Sequence, residues 1–423
     1  MDRRAVVLWS FLGLAAGGWS PRVLAADAAE DPLLRSLIDQ ALTANPGLLA
    51  ARSEARAVDA RRAQASRNGD PELSVSYMND GWSPSLGERD MTTLAFVGRL
   101  PLAAGATRRL RGEIAAREAG EADRRAEQES RRVVSGVKRS YVDLVLAREV
   151  MALARDQAEV WRQTEGVARA RYAVGQGTQS DVLRAQVERT RVLQEQAEQA
   201  AEAERALLAL EYWVGQPVAE RLATTPPLKL REDAPPRALE VDDALARNPE
   251  RAAAALALER EALAIELARR EGRPGTMIEA GYLNRGGLEP LWQAGITLSL
   301  PVSRVRVRSA VAEAEARRQA AERRGESVRA ELRMRVGGLL AELTAAEARA
   351  RFYADGIIPQ GQIAVEAAIA NYQSGGVPFV AALEAIGRLY ADRADHARLV
   401  ARHHRLLADL EEAAGEPLAE ARP

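Results

Sequence analysis

The chain has 423 residues, 47% of them hydrophobic but only 4% aromatic and 28% charged, with no cysteine and a formal net charge of −1 from 59 basic and 60 acidic residues. No cysteine excludes a disulfide framework, a thiolate metal site and a lipid attached through an N-terminal Cys. Balanced charge excludes a global field for nucleic acid, and with Lys138 and Lys229 the only lysines, the arginines read as solvated helix surface and not as a phosphate-binding patch. Ala, Leu, Val, Arg, Glu and Gln dominate, which points to long helices or coiled coils.

Met1 to Arg4 carries two arginines, Ala5 to Trp19 is almost wholly apolar, and the small residues Ala25 and Ala26 close the segment. This pattern predicts a secretory signal peptide over residues 1–26, cut after Ala25 or Ala26. The run is short for a membrane span, and nothing later supplies about 18 consecutive apolar residues, so no transmembrane helix is predicted in the mature chain. The protein is expected in the periplasm, outside the cell, or in an outer membrane as a β-barrel.

A first structural unit is predicted over 27–213. It opens with an Ala-rich helix from Pro32 to about Arg67. A β-hairpin follows over 72–100: Leu73, Val75 and Tyr77 alternate with Ser74 and Ser76, and a turn-rich stretch from Asn79 to Pro84 leads to a second strand near Thr92–Leu100. A helix is predicted over 102–174, about 100 Å long because no proline interrupts it. Its 4-3 seam runs through Val133, Val137, Ser140, Leu144, Ala147, Met151, Ala154, Ala158, Trp161, Glu165, Ala168 and Tyr172, the mark of a coiled-coil hairpin. The returning helix covers 178–213, and prolines from Pro217 to Pro236 mark a linker over 214–240.

The second unit, 241–413, repeats the first. Ala41-Leu42 with Asn45-Pro46 returns as Ala244-Leu245 with Asn248-Pro249, Pro101 as Pro301, Tyr172 with Gly175 as Tyr372 with Gly375, and Gly215-Gln216-Pro217 as Gly415-Glu416-Pro417, all about 200 residues apart. Its hairpin is placed at 277–300, with Asn284 to Trp292 as an exposed loop, and its helices at 302–373 and 378–413 ahead of a tail at 414–423. The expected seam is Leu332, Val336, Leu339, Leu343, Ala346, Ala350, Tyr353, Ile357, Gln360, Ala364, Ala367 and Asn371. Strands of about nine residues with Trp82, Trp292, Tyr77 and Tyr282 at their ends fit a membrane barrel. Four strands cannot close one alone, so several chains must contribute.

The segment from Arg171 to Gln186, with Gly175, Gly177, Thr178 and Asp181, closely resembles the helix–turn–helix signature of the TolC family of outer-membrane efflux channels, and Leu42-x-x-Asn45-Pro46 is a second mark. The resemblance covers essentially all of the chain after the signal. It implies a mainly α fold with a small β part, two tandem repeats, and a homotrimer with a twelve-stranded barrel in the outer membrane above a twelve-helix periplasmic tunnel. It implies passive passage of material driven by an inner-membrane pump of resistance-nodulation-division type or similar, joined through a periplasmic adaptor (membrane fusion protein). Partners are therefore the homotrimer, adaptor, pump and outer-membrane lipid, with no nucleic acid. Within the family the chain looks most like the CzcC-type channels of heavy-metal export.

At the first tip, Gly175 and Gly177 permit a tight turn, while Thr178 caps the new helix with Asp181 three residues on. That capping is an explanation of Asp181 complete in itself. The alternative places carboxylates around the channel mouth, where they favour cations and where Arg171 pairs with one to hold the mouth shut. At the second tip Gly375 keeps the turn and Pro378 suits the first helical position. By the resemblance, the acidic pore position nearest this turn is replaced by Ala381 and the next is retained as Glu384. Candidate gate residues are thus Glu384, Asp181 and Arg171, and candidate adaptor-docking residues are Gly175, Gly177, Thr178, Gly375 and Pro378.

His396, His403 and His404 are the only histidines. His396 and His403 share a helix face with Asp392, which is read as solvated surface sooner than a metal site. No phosphate loop, nucleophile elbow or zinc-protease motif is present, so neither catalysis nor a cofactor is expected. The competing reading is a soluble periplasmic coiled-coil scaffold or adaptor, which has no need for hairpins with aromatic rims.

Overall fold

The computed structural model describes residues 31–86, 88–223, 225–230 and 245–414. The signal peptide, Ala244, linker residues 231–240 and the tail with its Gly415-Glu416-Pro417 match lie outside the described residues.

Helix α1 (Pro32–Ala44) starts where Asp31 accepts from the Leu33 amide and Pro32 supplies a preset φ. The same Asp31 carboxylate accepts the Tyr141 hydroxyl, fixing the helix start to its neighbour. Sequence reading predicted one helix to Arg67. The chain instead breaks at Asn45, held extended at ψ 120° by the proline after it, and resumes as α2 (Pro46–Ala65). Strands β1 (Glu72–Met78) and β2 (Thr93–Leu102) lead into α3 (Gly105–Ala173), and α4 (Gln179–Val214) returns alongside it. Then come α5 (Pro249–Glu271), β3 (Gly275–Arg285), β4 (Leu288–Ser299), α6 (Arg304–Phe352), a π-turn (Tyr353–Ile357), α7 (Ile358–Ser374) and α8 (Phe379–Ala414).

The two Asn-Pro dipeptides do identical work. Asn45 Oδ1 caps α2 at the Leu48 amide, 3.0 Å, while Nδ2 donates to the Trp213 carbonyl at the end of α4, 2.8 Å. Asn248 Oδ1 caps α5 at the Glu250 amide, 2.8 Å, while Nδ2 donates to the Ala413 carbonyl at the end of α8, 2.8 Å. The amide accepts at one helix start with its oxygen and donates to another helix's last turn with its nitrogen, a second role that an ionised aspartate, which only accepts, cannot fill. Gly215 completes the first clamp. Its φ is +80°, and a Cβ would stand 2.8 Å from the Ala44 carbonyl oxygen.

Packing is divided along the length. Leu37, Leu48, Val137, Leu144, Leu210 and Leu222 unite α1–α4 in one cluster; Val336, Leu343, Leu407 and Leu410 join α6 to α8 at the same level. A third cluster, around Trp161, Tyr372, Phe379 and Ile386, lies near the helical turns. Between the first two, Lys138 pairs with Glu411 at 2.8 Å, Arg139 with Asp409 at 2.6 Å and Arg405 with Asp143 at 2.8 Å, binding α3 to α8.

The predicted seam of α3 is buried or half-buried from Val133 to Ala168; only Tyr172 is exposed. In the second half the seam holds as far as Ala350 and then moves by one residue. Ile358, Gly361, Val365, Ala368 and Tyr372 face the interior, and Ile357, Gln360, Ala364, Ala367 and Asn371 face out. The cause is the π-turn, which inserts one residue and rotates everything after it by about 100°. Pro359 supplies the reason: it has no N–H to donate and its ring crowds the carbonyl four residues back.

The strands form one antiparallel sheet in the order β1-β2-β3-β4. Asn284 to Trp292 is not a loop as expected. Gly286, at φ +68°, makes a two-residue turn with Gly287, and Leu288 to Trp292 is strand; Pro290 is tolerated because β4 is an edge. Rows across the sheet alternate in character. Val75, Phe96, Tyr282 and Trp292 are in register on one face, as are Leu100, Ile278 and Ile296. The other face carries Ser74, Val97, Gly281 and Gln293, then Glu72, Arg99, Glu279 and Gly295, with Arg99 and Glu279 paired at 3.4 Å. The apolar face is uncovered: Val75 is 57%, Ile296 71% and Trp292 77% exposed.

Two outcomes follow for stability. Alanine at Gly136 would put its Cβ 2.3 Å from the Trp213 indole, so Gly136→Ala is expected to lower stability by about 1–3 kcal/mol despite alanine's better helix propensity, read as a fall in melting temperature. Asn248→Ala should cost about 1 kcal/mol for the lost cap plus about 1–3 kcal/mol for the orphaned Ala413 carbonyl, and Asn248→Asp should recover only the first part in denaturant titration.

Candidate functional site at the helical tips

Both long helical runs end in the same closure. After α3, the Gln176 amide donates to the Arg171 carbonyl (2.9 Å) and Gly175 to Tyr172 (3.0 Å), with Gly175 at φ +73°. After α7, Gly376 donates to Asn371 (2.8 Å) and Gly375 to Tyr372 (3.1 Å), with Gly375 at φ +81°. These bonds satisfy the last carbonyls of each helix and require a residue without Cβ strain at the left-handed position. Gly177 is needed for a different reason: a Cβ there would meet the Arg171 and Tyr172 backbone at 3.2–3.3 Å.

Thr178 and Asp181 form a reciprocal capping box at the start of α4: the Thr178 amide donates to Asp181 Oδ2 at 3.2 Å, and the Asp181 amide donates to Thr178 Oγ1 at 3.3 Å. Pro378 occupies the corresponding place ahead of α8, one residue before the first helical position expected for it. Glu384 is exposed about one turn into α8, and Asp181 is half-buried.

Among the described residues Arg171 makes no ion pair with a carboxylate of its own chain. Its Nη1 donates to the Tyr372 and Gln373 carbonyls at 2.5 and 2.8 Å, and Nη2 to the Gln176 carbonyl at 3.0 Å. Its guanidinium also lies 5.0 Å from the centre of the Tyr372 ring. One cation from the first tip therefore sits on the negative end of α7, tying the two turns together.

Tyr372 and Phe379 were missed as tip residues by sequence reasoning. Their rings meet edge-on at 5.2 Å and pack the second turn against Trp161, Ala168 and Ala185 of the first hairpin. Burial, and secondarily the Asp181 carboxylate, pushes the Tyr372 hydroxyl pKa up, with Arg171 opposing. The available signal was a phenylalanine just beyond the turn in a chain with only four. Above the turn, the buried Glu165 carboxylate is bonded by Arg169 (2.5 Å), Gln186 (3.0 Å) and Arg189 (3.1 Å), a register lock between α3 and α4. Its place in the otherwise apolar seam of α3 was the sequence signal for it.

The histidines are apart from this site. His403 is fully buried with its ring edge-on to His404 at 5.7 Å, and His404 Nε2 lies 2.8 Å from the Lys229 carbonyl oxygen. Asp392 is engaged by Arg388 at 3.3 Å, and burial pushes the His396 pKa down. Among the described residues no group of three or more potential ligands is placed to hold a metal. Nor is any described helix long and apolar enough to cross a membrane.

Residues 37–216 match the family model of the outer membrane efflux protein. No curated protein sequence matches the chain. Solved structures do: the outer-membrane channel OprN at 19% identity and TM-score 0.80, covering 92% of this chain and 91% of that one. The CusC channel matches at 19% identity and TM-score 0.80 over 91% and 92%. The outer membrane protein VceC from Vibrio cholerae matches at 20% identity and TM-score 0.78 over 91% and 96%. The family segment is in keeping with the resemblance to the TolC family, and the fold of this chain is that of the outer-membrane channels.

Proposed function

We propose that the chain forms a homotrimeric outer-membrane duct that passes material delivered by an inner-membrane pump through a periplasmic adaptor. The observation that carries this is the sheet. It has an uncovered apolar face, a polar face, and two unpaired edges at β1 and β4. An apolar face of this extent in water invites aggregation, and open edges invite pairing, whereas three sheets joined edge to edge make a closed twelve-stranded barrel with its apolar side to lipid. The two longest helical runs, α3 and α6–α7, about 100 Å each, then hang into the periplasm as the tunnel wall with α4 and α8 beside them. Two tandem units, 27–213 and 241–413, supply four helical positions per copy to that wall.

The tips are the mouth, and Gly175, Gly177, Thr178, Gly375 and Pro378 shape the turns an adaptor meets. In this reading the Arg171 bonds to the second turn hold the mouth closed, and Glu384 and Asp181 set its preference for cations. Resemblance to the CzcC-type channels favours heavy-metal ions as cargo.

In cell fractionation the processed chain is expected in the outer membrane and, after detergent extraction and chemical crosslinking, as a trimer. A soluble periplasmic monomer or dimer would overturn the duct and leave a coiled-coil scaffold. In planar bilayers, Arg171→Ala should raise single-channel conductance several-fold, because three carbonyl bonds are lost at once, and Glu384→Gln should lower cation over anion selectivity. An Arg171→Ala channel indistinguishable from wild type would remove Arg171 from the gate.

A further inference from the structure

Many described arginines of this chain pair with acids three or four residues away or on a facing helix; the start of α6 offers no such acid. Between Glu289 and Glu313 there is no Asp or Glu, while Arg304, Arg306 and Arg308 follow one another at alternate positions. All three are exposed, and among the described residues none has a carboxylate partner; the one side-chain bond in the group runs from Arg308 Nε to the Arg304 carbonyl at 3.4 Å. Arg273 joins them. A Cβ on Gly272 would stand 2.7 Å from a Val307 methyl, so the end of α5 lies against the first turn of α6, and Arg273 is also exposed and without an acid.

The matching junction of the first half is neutralised differently. Asp and Glu are absent there too, between Asp90 and Glu113, but Arg111 reaches Glu271 at 2.9 Å and Arg109 reaches Glu113 at 3.4 Å. Arg304 and Arg308, one turn apart on α6, repel one another at the positive end of that helix, with Arg306 on its other exposed flank and Arg273 at the end of α5, an arrangement that calls for an external anion.

Their surroundings indicate which anion. The apolar side of the sheet continues downward through Leu298 (58% exposed), Leu300 (64%), Val302 (87%) and Val305 (68%) into the arginines. The junction is at the end of the strands opposite the hairpin turns, next to the helices. A bare apolar band terminated by arginines matches the boundary between acyl chains and phosphate headgroups. We propose that Arg273, Arg304, Arg306 and Arg308 form a binding site for anionic phospholipid headgroups of the periplasmic leaflet. This rests on the membrane-duct reading and adds to it a specific lipid contact on one side of each chain.

The full chain, reconstituted into vesicles of phosphatidylcholine mixed with phosphatidylglycerol and then extracted in detergent, tests this by the lipid it retains. Wild type should hold phosphatidylglycerol in excess over its share of the mixture. The variant Arg304→Gln, Arg306→Gln, Arg308→Gln should lose roughly five-fold of that enrichment for each arginine removed. The corresponding triple lysine variant, which keeps the charge, should retain most of it. Wild type that retains both lipids in proportion to supply, or a glutamine variant as enriched as wild type, would overturn the proposal while leaving the duct intact. Protein that never enters the vesicles overturns the duct, and the lipid site with it.

Discussion

Four strands with one apolar face cannot be satisfied within a single chain. Each edge strand carries backbone donors and acceptors without partners, and each exposed Val, Ile or Trp on the apolar face adds an unfavourable contact with water. Lipid covers the face but does nothing for the edges, since unpaired backbone groups are costlier in a bilayer than in water. Closure by further copies covers both. In the proposed duct the polar face, with its Arg99–Glu279 pair, would become an interior that water can fill, and the long helices would take a circular arrangement from the strands that precede them.

Helices this long have no single core, so their stability is local and their alignment has to be set at separate points. Asn45 and Asn248 fix the upper ends and Glu165 fixes α3 against α4 near the turn. Glu121, also buried, illustrates the cost of such locks. Desolvation raises its pKa more than Arg260 and Arg125 lower it, although Arg260 approaches to 3.0 Å. Buried ion pairs add little net stability, but a helix shifted by one residue would strand a charge, so what they provide is register.

How much of this was legible depended on periodicity. Two hairpins and four long helices came from alternation, heptads and the placement of prolines, and the returning helices fell within one residue of their predicted ends. Where a local signal was overridden by context, reading failed. Asn284 to Trp292 looked like an exposed loop around Gly286-Gly287, yet the turn takes only those two glycines and the edge strand accepts Pro290. Asn45-Pro46 looked like a mark inside one helix and is a break between two. Pro359 was passed over, so the π-turn and the shifted seam were not foreseen. At the tips the capping box of Thr178 and Asp181 was readable because its partners are three residues apart; the bonds from Arg171 to carbonyls about 200 residues on were not, because carbonyls carry no sequence signal.

The π-turn lies in only one of the two long runs, and this has a consequence for symmetry. Above it the two halves share the asparagine that bridges one helix start to another helix's last turn. Below it they differ: one turn is anchored by Tyr372 and Phe379, whereas the other presents Tyr172 to solvent. In the trimer proposed above, the mouth would then keep only threefold order, with the two kinds of turn alternating around it. Six copies of a docking partner would meet two kinds of seat, three of each, and fill them in two steps, not one.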